Sequence, residues 1–346
     1  MARRRRAKGL LRRTLLGVAL GWWVAVTLVS WVYVESTNRP SSAPPGLSFV
    51  RTDGYLTRFE TWGPRYSAHP IVLVHGAFES VEYWRPVARI VSRHTHVEAY
   101  DLEGYGYTQR VGRYTTEDLA TQLDRFLAAR HLEHPVLVGH SLGAGVIARF
   151  VLDHPHTAAG LVFLDGDGLS VSYPGTGLFD WVPDPYRTAL YRFAVRNDWF
   201  LSTAFHTACG SQCPPVTPQV LAMIRRPLEV RGAQSALQSI SSRPIVGVTP
   251  AQLREVGRLH IPTLVVFGRD DSSYSPTASF VTARRLRAGE PVLLAGAGHL
   301  SLWSRPQAVA HAILRLSRDV AVGVHATPGC ASGTLVKEKE FLCAAK

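Results

Sequence analysis

The chain has 346 residues, 46% hydrophobic and 18% charged, which allows one large core with an inserted subdomain and is too little for two independent large domains. Its formal net charge of +12 suggests a nucleic-acid partner only until it is located: Arg3, Arg4, Arg5, Arg6, Lys8, Arg12 and Arg13 crowd the N-terminus, and no acid precedes Glu35. The remainder is mildly basic without a basic stripe interleaved with aromatics, so no nucleic-acid partner is expected.

Residues 1–13 read as a basic cytoplasmic segment. Thr14 to Val34 holds no charged residue and, as a helix, would span about 31 Å, close to the hydrocarbon thickness of a bilayer. Trp31 and Tyr33 sit near its far end, where amphipathic rings favour the interface, and the basic flank should stay inside. The expectation is a single-pass cell-membrane protein with a cytoplasmic N-terminus and its bulk outside the cytoplasm, the lipid bilayer being a partner. The rival is a cleaved signal peptide and a secreted chain; its apolar region would be shorter, and no Ala-x-Ala site precedes Glu35. Residues 35–47 form a linker, stiffened by the Pro/Ser run Asn38 to Gly46.

Ser48 to Val50 and Tyr55 to Thr61 read as short strands about the turn Thr52-Asp53-Gly54. Ile71 to Val74 is an unalternating apolar run, the pattern of a strand covered on both faces. It ends in His75-Gly76-Ala77-Phe78-Glu79-Ser80 and leads to a helix-like stretch from about Tyr83 to Arg93. Val97 to Asp101 is the next strand. Thr116 could cap a helix through Arg130, with Leu119, Leu123, Phe126 and Leu127 as its apolar stripe. Strand Val136 to Val138 runs into Gly139-His140-Ser141-Leu142-Gly143, with a helix to about Asp153. Leu161 to Asp165 is another strand. Regular β-α-β-α alternation predicts an α/β fold with a doubly wound, mostly parallel central sheet, whose ligands bind at the strands' C-terminal ends.

From Gly166 to about His260 the alternation stops, among prolines and aromatic-rich pieces such as Leu178 to Trp181 and Asp198 to Phe200. Residues 166–260 read as an inserted, mostly helical cap, clearest at Arg187 to Arg196 and Thr217 to Arg226, with a capped helix from Thr249 returning to the core. Residues 48–165 and 261–317 are the two parts of the core. The second holds strands Thr263 to Gly268 and Pro291 to Ala295 and a last helix from Arg305 to about Ser317; 318–346 is a polar tail. Four cysteines agree with an oxidising compartment; local pairing would join Cys209 to Cys213 and Cys330 to Cys343. The spacing matches no common zinc site, and no metal is expected.

The Gly-x-Ser-x-Gly spacing has a mechanical reason. A serine on a sharp strand-to-helix turn needs small neighbours two residues either side, where backbones pass closely. Its hydroxyl then stands near a helix N-terminus, where developing negative charge is favoured. Such a hydroxyl needs a base and a group to orient that base. Gly268-Arg269-Asp270-Asp271 offers a carboxylate at one late strand end, and Gly296-Ala297-Gly298-His299 a histidine after the last strand.

With His75-Gly76, Asp101…Gly104-x-Gly106, Gly139 to Gly143, Gly268-x-x-Asp271 and Gly298-His299 in this order, residues 48 to 317 resemble the α/β-hydrolase fold family with a cap after the sixth strand. The resemblance implies Ser141 as nucleophile, His299 as general base and later acid, and Asp271, chosen by the family's Gly-x-x-Asp spacing, as the residue orienting His299. Asp270 and Asp165 remain competitors for that last role. It implies an oxyanion hole of the Leu142 N–H and one from the loop after Gly76, Ala77 before Phe78. Phe78 would line the pocket or pack beneath the cap. His75, His140 and Asp101 are expected to hold turns rather than do chemistry, and Trp181, Trp199, Tyr186 and Phe205 to face substrate or the cap's own core. The implied function is a serine hydrolase of ester-like small molecules with an apolar part, without cofactor. Haloperoxidase-like, amidase or peptidase chemistry would use the same triad, and a binding or sensing protein could keep the scaffold.

Overall fold

Ile71-Val72-Leu73-Val74 is buried along its whole length, and successive residues feed opposite faces of one sheet. Ile71 and Leu73 join the apolar cluster on one side, Val72 and Val74 the cluster on the other, hence the absence of polar alternation. The computed structural model describes residues 2–170 and 181–323; the Leu178–Asp180 piece and the tail with Cys330 and Cys343 lie outside the described residues.

The strands are β1 (Ser48–Thr52), β2 (Tyr55–Trp62), β3 (Ile71–Val74), β4 (Val97–Tyr100), β5 (Val136–His140), β6 (Gly160–Leu164), β7 (Thr263–Gly268) and β8 (Val292–Leu294). They form one sheet in the order β1-β2-β4-β3-β5-β6-β7-β8. β1 and β2 are an antiparallel hairpin, β2 pairs antiparallel with β4, and every later pair is parallel. Asp53 and Gly54 both take positive φ at the hairpin turn, the conformation that suits the twist of two-residue hairpins.

The helices are α1 (Ala2–Ser36), α2 (Arg85–Val91, after a 3₁₀ turn over Val81–Trp84), α3 (Thr116–Arg130), α4 (Leu142–Asp153), α5 (Tyr186–Arg196), α6 (Asp198–Cys209), α7 (Pro218–Glu229), α8 (Ala233–Ser241), α9 (Pro250–Arg258), α10 (Pro276–Arg285), α11 (Ser301–Ser304) and α12 (Pro306–Ala321). Leu119, Leu123 and Phe126 of α3, Val146 and Phe150 of α4, and Ala283 of α10 cover one face of the sheet. Val87 and Val91 of α2 and Val309, Ile313 and Leu316 of α12 cover the other. The cap of α3 is Thr115, not Thr116: its side chain accepts from the Asp118 N–H, and the Asp118 carboxylate accepts from the Thr115 N–H. That reciprocal pair satisfies two of the helix's orphan donors at once.

Between β6 and β7 lie α5 to α9. The last of these starts at Thr249 in a capping box with Gln252, and its Leu253 and Val256 share the cluster of α4, so α9 is packed as a core helix. A disulfide joins Cys209, the last residue of α6, to Cys213. α1 stands apart from the sheet: Leu15, Leu20, Trp22, Trp23 and Val29 are exposed, and among its described side chains only Thr27, Ser30, Tyr33 and Val34 are half-buried, followed by Thr37 just past its end. Those positions lie on one helical face, and that face meets α5.

Candidate active site

β5 delivers Ser141 into a turn that a larger chain could not make. A Cβ on Gly139 would lie 2.4 Å from the Gly143 carbonyl oxygen, and one on Gly143 would lie 2.3 Å from that of Val74. Ser141 itself sits at φ 50, ψ −116, a backbone state that costs an ordinary residue roughly 1–3 kcal/mol and persists only where the surroundings impose it. Its N–H donates to the Leu164 carbonyl at 2.9 Å, pinning the turn to β6. The hydroxyl stands at the N-terminus of α4.

The structure brings three of the sequence candidates together. His299 Nε2 lies 2.9 Å from Ser141 Oγ, and His299 Nδ1 lies 2.9 Å from Asp271 Oδ2. Asp271 is buried, and its other oxygen accepts the N–H groups of Ser273 and Tyr274. The Tyr274 ring lies over the imidazole, centroids 5.8 Å apart and planes 25° apart. The two competing acids do other work. Asp270 points to solvent, with its backbone N–H on the Ala297 carbonyl. Asp165 is fully buried and accepts from Gly268 N–H at 2.7 Å and from the N–H and hydroxyl of Ser301, so it ties the ends of β6 and β7 to the start of α11.

Two backbone donors border the serine. The N–H of Leu142 opens α4 and that of Ala77 lies in the loop after β3; neither donates to a protein acceptor among the described residues. The first N–H groups of a helix have no intrahelical partner. The preceding Gly76 N–H is occupied by Glu79 Oε2 at 2.9 Å. Phe78 takes φ +62 and is 53% exposed, so it stands at the mouth of the site rather than packing beneath the cap.

Behind the serine lies a buried charge pair not anticipated from the sequence. His140 Nδ1 is 3.0 Å from Glu79 Oε2, and its Nε2 is 2.8 Å from the His299 carbonyl oxygen. With an acceptor at each nitrogen the ring has reason to carry both protons. Burial opposes that charge, but Glu79, by charge and hydrogen bond, and Asp165 outweigh it and push the His140 pKa up to about 9. Burial likewise opposes the Glu79 charge, and His140 overcomes it, holding the carboxyl below its usual range. Asp165, 3.7 Å from His140 Nε2, is pushed up to about 6 by burial. His75 was expected to bond within its own turn. It does so through Nδ1 to the Gly76 carbonyl, but its Nε2 also accepts the Leu102 N–H at 2.9 Å. Burial lowers its pKa, which suits that acceptor role. Asp101 accepts from the N–H groups of Val81 and Tyr107 and holds its loops, as its turn pattern suggested.

The loop carrying His299 is clamped from the cap side as well. Gly298 N–H donates to the Cys209 carbonyl and Leu300 N–H to the Ala208 carbonyl, each at 2.9 Å, while Gln212 N–H donates to the Gly296 carbonyl at 3.1 Å. The disulfide-closed turn Cys209-Gly-Ser-Gln-Cys213 therefore runs as a short brace along residues 296–300. Gly210 in one segment and Gly298 in the other let the two backbones approach: a Cβ on Gly210 would lie 2.4 Å from the Gly298 nitrogen. Of the aromatic candidates, Phe205 is buried against Tyr83 and Trp303. Tyr186 meets α1, and Trp181 and Trp199 are exposed. Among the described residues no group of three or more His, Cys, Asp or Glu is arranged to hold a metal ion.

A family model described as alpha/beta hydrolase fold matches residues 69–306, and the chain belongs to that family. A 2-hydroxy-6-oxo-2,4-heptadienoate hydrolase of Pseudomonas putida is 36% identical over 109 residues, 30% of this chain and 40% of that protein. The chain spans about 40% of the length of the first curated relatives it matches. Among solved structures, a thermophilic esterase from Thermogutta terrifontis is 24% identical with a TM-score of 0.62, over 79% of this chain and 98% of that one. A bacterial membrane phospholipase A is 21% identical with a TM-score of 0.64, over 90% and 99%. At these identities both speak for the fold.

Proposed function

We propose that this member of the α/β-hydrolase fold family is a membrane-anchored serine hydrolase of ester-type substrates, working outside the cytoplasm. The observation that carries the reading is the unbroken line of 2.9 Å contacts from Ser141 Oγ through both nitrogens of His299 to Asp271. Asp271 holds the His299 proton on Nδ1, leaving Nε2 free to take the Ser141 proton as Oγ bonds to the substrate carbonyl carbon. The carbonyl electron pair moves to oxygen, and the N–H groups of Ala77 and Leu142 receive the oxyanion. Collapse expels the alcohol, which leaves with the proton held on His299. Water then attacks the acyl-enzyme, gives a proton to His299, and the acid departs as Ser141 takes that proton back. Each bond and proton is accounted for by these residues, the ester and water.

α1 serves as the anchor in this reading. Its half-buried stripe against α5, and the hydrogen bond from Arg192 to the Val34 carbonyl at 2.5 Å, favour a helix retained on the folded domain over one cleaved away. The basic flank keeps the N-terminus in the cytoplasm.

A fluorophosphonate probe tests the chemistry: wild type should label and Ser141→Ala should not. An unlabelled wild type, or equal labelling of both, would leave a binding protein on a hydrolase scaffold. Protease added to intact cells should reach the domain beyond residue 37; full protection there would overturn the topology.

A further inference from the structure

The N-terminal half of α5 lies beside the apolar span of α1 rather than beyond its end. The Tyr186 hydroxyl hydrogen-bonds Thr27 of α1, while six residues later Arg192 reaches the Val34 carbonyl and then Arg196 the Thr37 carbonyl. The two helices therefore run side by side in the same direction. Thr27 is seven residues short of Val34, about 10 Å along the helix axis. A span beginning at Thr14 needs about 20 residues to cross the hydrocarbon. If α1 crosses a bilayer, the start of α5 is thus drawn below the membrane surface, to the depth at which interfacial helices bury their apolar faces, roughly 5–10 Å.

The side chains from the approach to α5 through the start of α6 suit that boundary. Trp181 is 85% exposed, Phe193 57% and Trp199 74%, with Leu190 and Phe200 also exposed. Leu190 and Phe193, three apart on α5, share one face. Large exposed apolar side chains gathered in one short stretch of chain point to an interaction surface, and tryptophan favours the membrane–water boundary. At the level where α1 ends, a cavity of about 410 Å³ is lined by Arg39, Arg192, Arg196 and Arg231, with Glu229 as the one acid in its lining. A basic collar at the headgroup level adds attraction to an anionic leaflet. The nearby acids are partnered: Asp184 with Arg187 and Thr188, Asp198 with Arg225.

We infer that the exposed face of α5 and the start of α6 is a membrane-docking surface, seated in the outer leaflet of the bilayer that α1 crosses, and that the site takes acyl esters of membrane lipids delivered from that leaflet. The substrate half of this statement rests on the hydrolase reading above; the docking half rests on α1 being an anchor. α6 links the two. Its first turn carries Trp199 and Phe200, and its last residues hydrogen-bond the loop of His299, about 18 Å away along a 12-residue helix.

The test uses the full chain reconstituted in vesicles of phosphatidylcholine and phosphatidylglycerol, with Trp22, Trp23 and Trp31 replaced by phenylalanine to silence α1. Lipids brominated in the upper acyl chain should quench the remaining tryptophan emission, and Trp181→Phe with Trp199→Phe should abolish that quenching. Absence of quenching overturns the docking surface whether or not the enzyme turns over. In the otherwise native chain, the combined change Trp181→Ser, Phe193→Ser and Trp199→Ser should lower hydrolysis of a diacyl phospholipid in the vesicle about ten-fold or more, the scale expected for losing three interfacial anchors. Hydrolysis of p-nitrophenyl butyrate from solution should stay within roughly two-fold of wild type, as for a surface change remote from the chemistry. Equal losses on both esters would mean that the patch only supports the cap and would overturn the proposal. So would unquenched emission in a chain whose dimer falls apart on the triple change, since a second copy would then be the occupant. Wild type hydrolysing neither ester would defeat the hydrolase reading and the lipid-ester half with it, while the quenching result would still decide the docking.

Discussion

The turn at Ser141 and the outer end of the cap are built on opposite terms. Around Ser141 nearly every position is closed: β5 is fully buried, Gly139 and Gly143 have backbone where a side chain would go, and even the polar groups are locked in pairs. At the start of α5 and α6 the large apolar residues face outward, and the helix they belong to is fastened to the body by hydrogen bonds to α1. The difference teaches that the first region is complete in itself, whereas the second is only half of an interface. Burial specifies the one; the medium around the molecule must specify the other.

The sharpest way to break this contrast is at the proposed triad of Ser141, His299 and Asp271. His299→Ala or Asp271→Asn should reduce kcat/KM for a soluble ester by roughly 10⁴-fold, as for removal of one member of such a unit, with folding intact by circular dichroism. Asp270→Asn, one residue away but facing solvent, should change it only a few-fold. Comparable losses for Asp270 and Asp271 would reject the assignment of the orienting acid.

Next in size is the buried pair behind the serine. His140→Leu leaves Glu79 buried without its partner and should cost about 3–5 kcal/mol in stability; adding Glu79→Gln should recover part of it. The pair also sets a pH limit. Because the His140 pKa is raised in the fold from 6.5 to about 9, its contribution is complete below about pH 6.5 and lost as pH rises through about 9. Wild-type Tm should fall across that window, and the fall should be smaller in the double variant. An equal fall in both would show that His140 does not carry it.

A steric comparison between the two regions follows. Gly143→Ala drives a Cβ to 2.3 Å from the Val74 carbonyl and should destabilise by about 3 kcal/mol, whereas Phe193→Ser on the exposed cap face should stay within about 0.5 kcal/mol in detergent solution. Urea unfolding of both measures it; a cap substitution as costly as the glycine change would show that the cap face is buried in the free protein. A smaller loss than that of the glycine change belongs to the brace. Cys209→Ser with Cys213→Ser opens a very short loop and should cost about 2 kcal/mol, with a lower kcat through a looser His299 loop and little change in the reactivity of Ser141 toward a small probe. Unchanged stability and kcat would show that the hydrogen bonds alone hold residues 296–300.

Much of this was legible in the linear chain because short-range rules imposed it. The unbroken apolar runs at Ile71–Val74 and Leu161–Leu164, the glycines two either side of Ser141 and the charge-free stretch after Arg13 each follow from what a covered strand, a tight turn or a long apolar helix requires of neighbouring residues. They determined the parallel sheet, the family and the candidate nucleophile without reference to anything far away. What tertiary structure decided was every choice among chemically equal residues. Asp270 and Asp271 are the same side chain one position apart, and only the path of the loop after β7 turns one of them toward His299. Glu79 and His140 are 61 residues apart, and their shared proton charge exists only once β3 and β5 lie side by side. Thr27 and Tyr186, 159 residues apart, show that α1 and α5 meet, which no periodicity in either helix could reveal. Local patterns are set by backbone geometry and solvent, which each residue meets on its own; partnership is set by the fold, which brings distant residues into the same few ångströms.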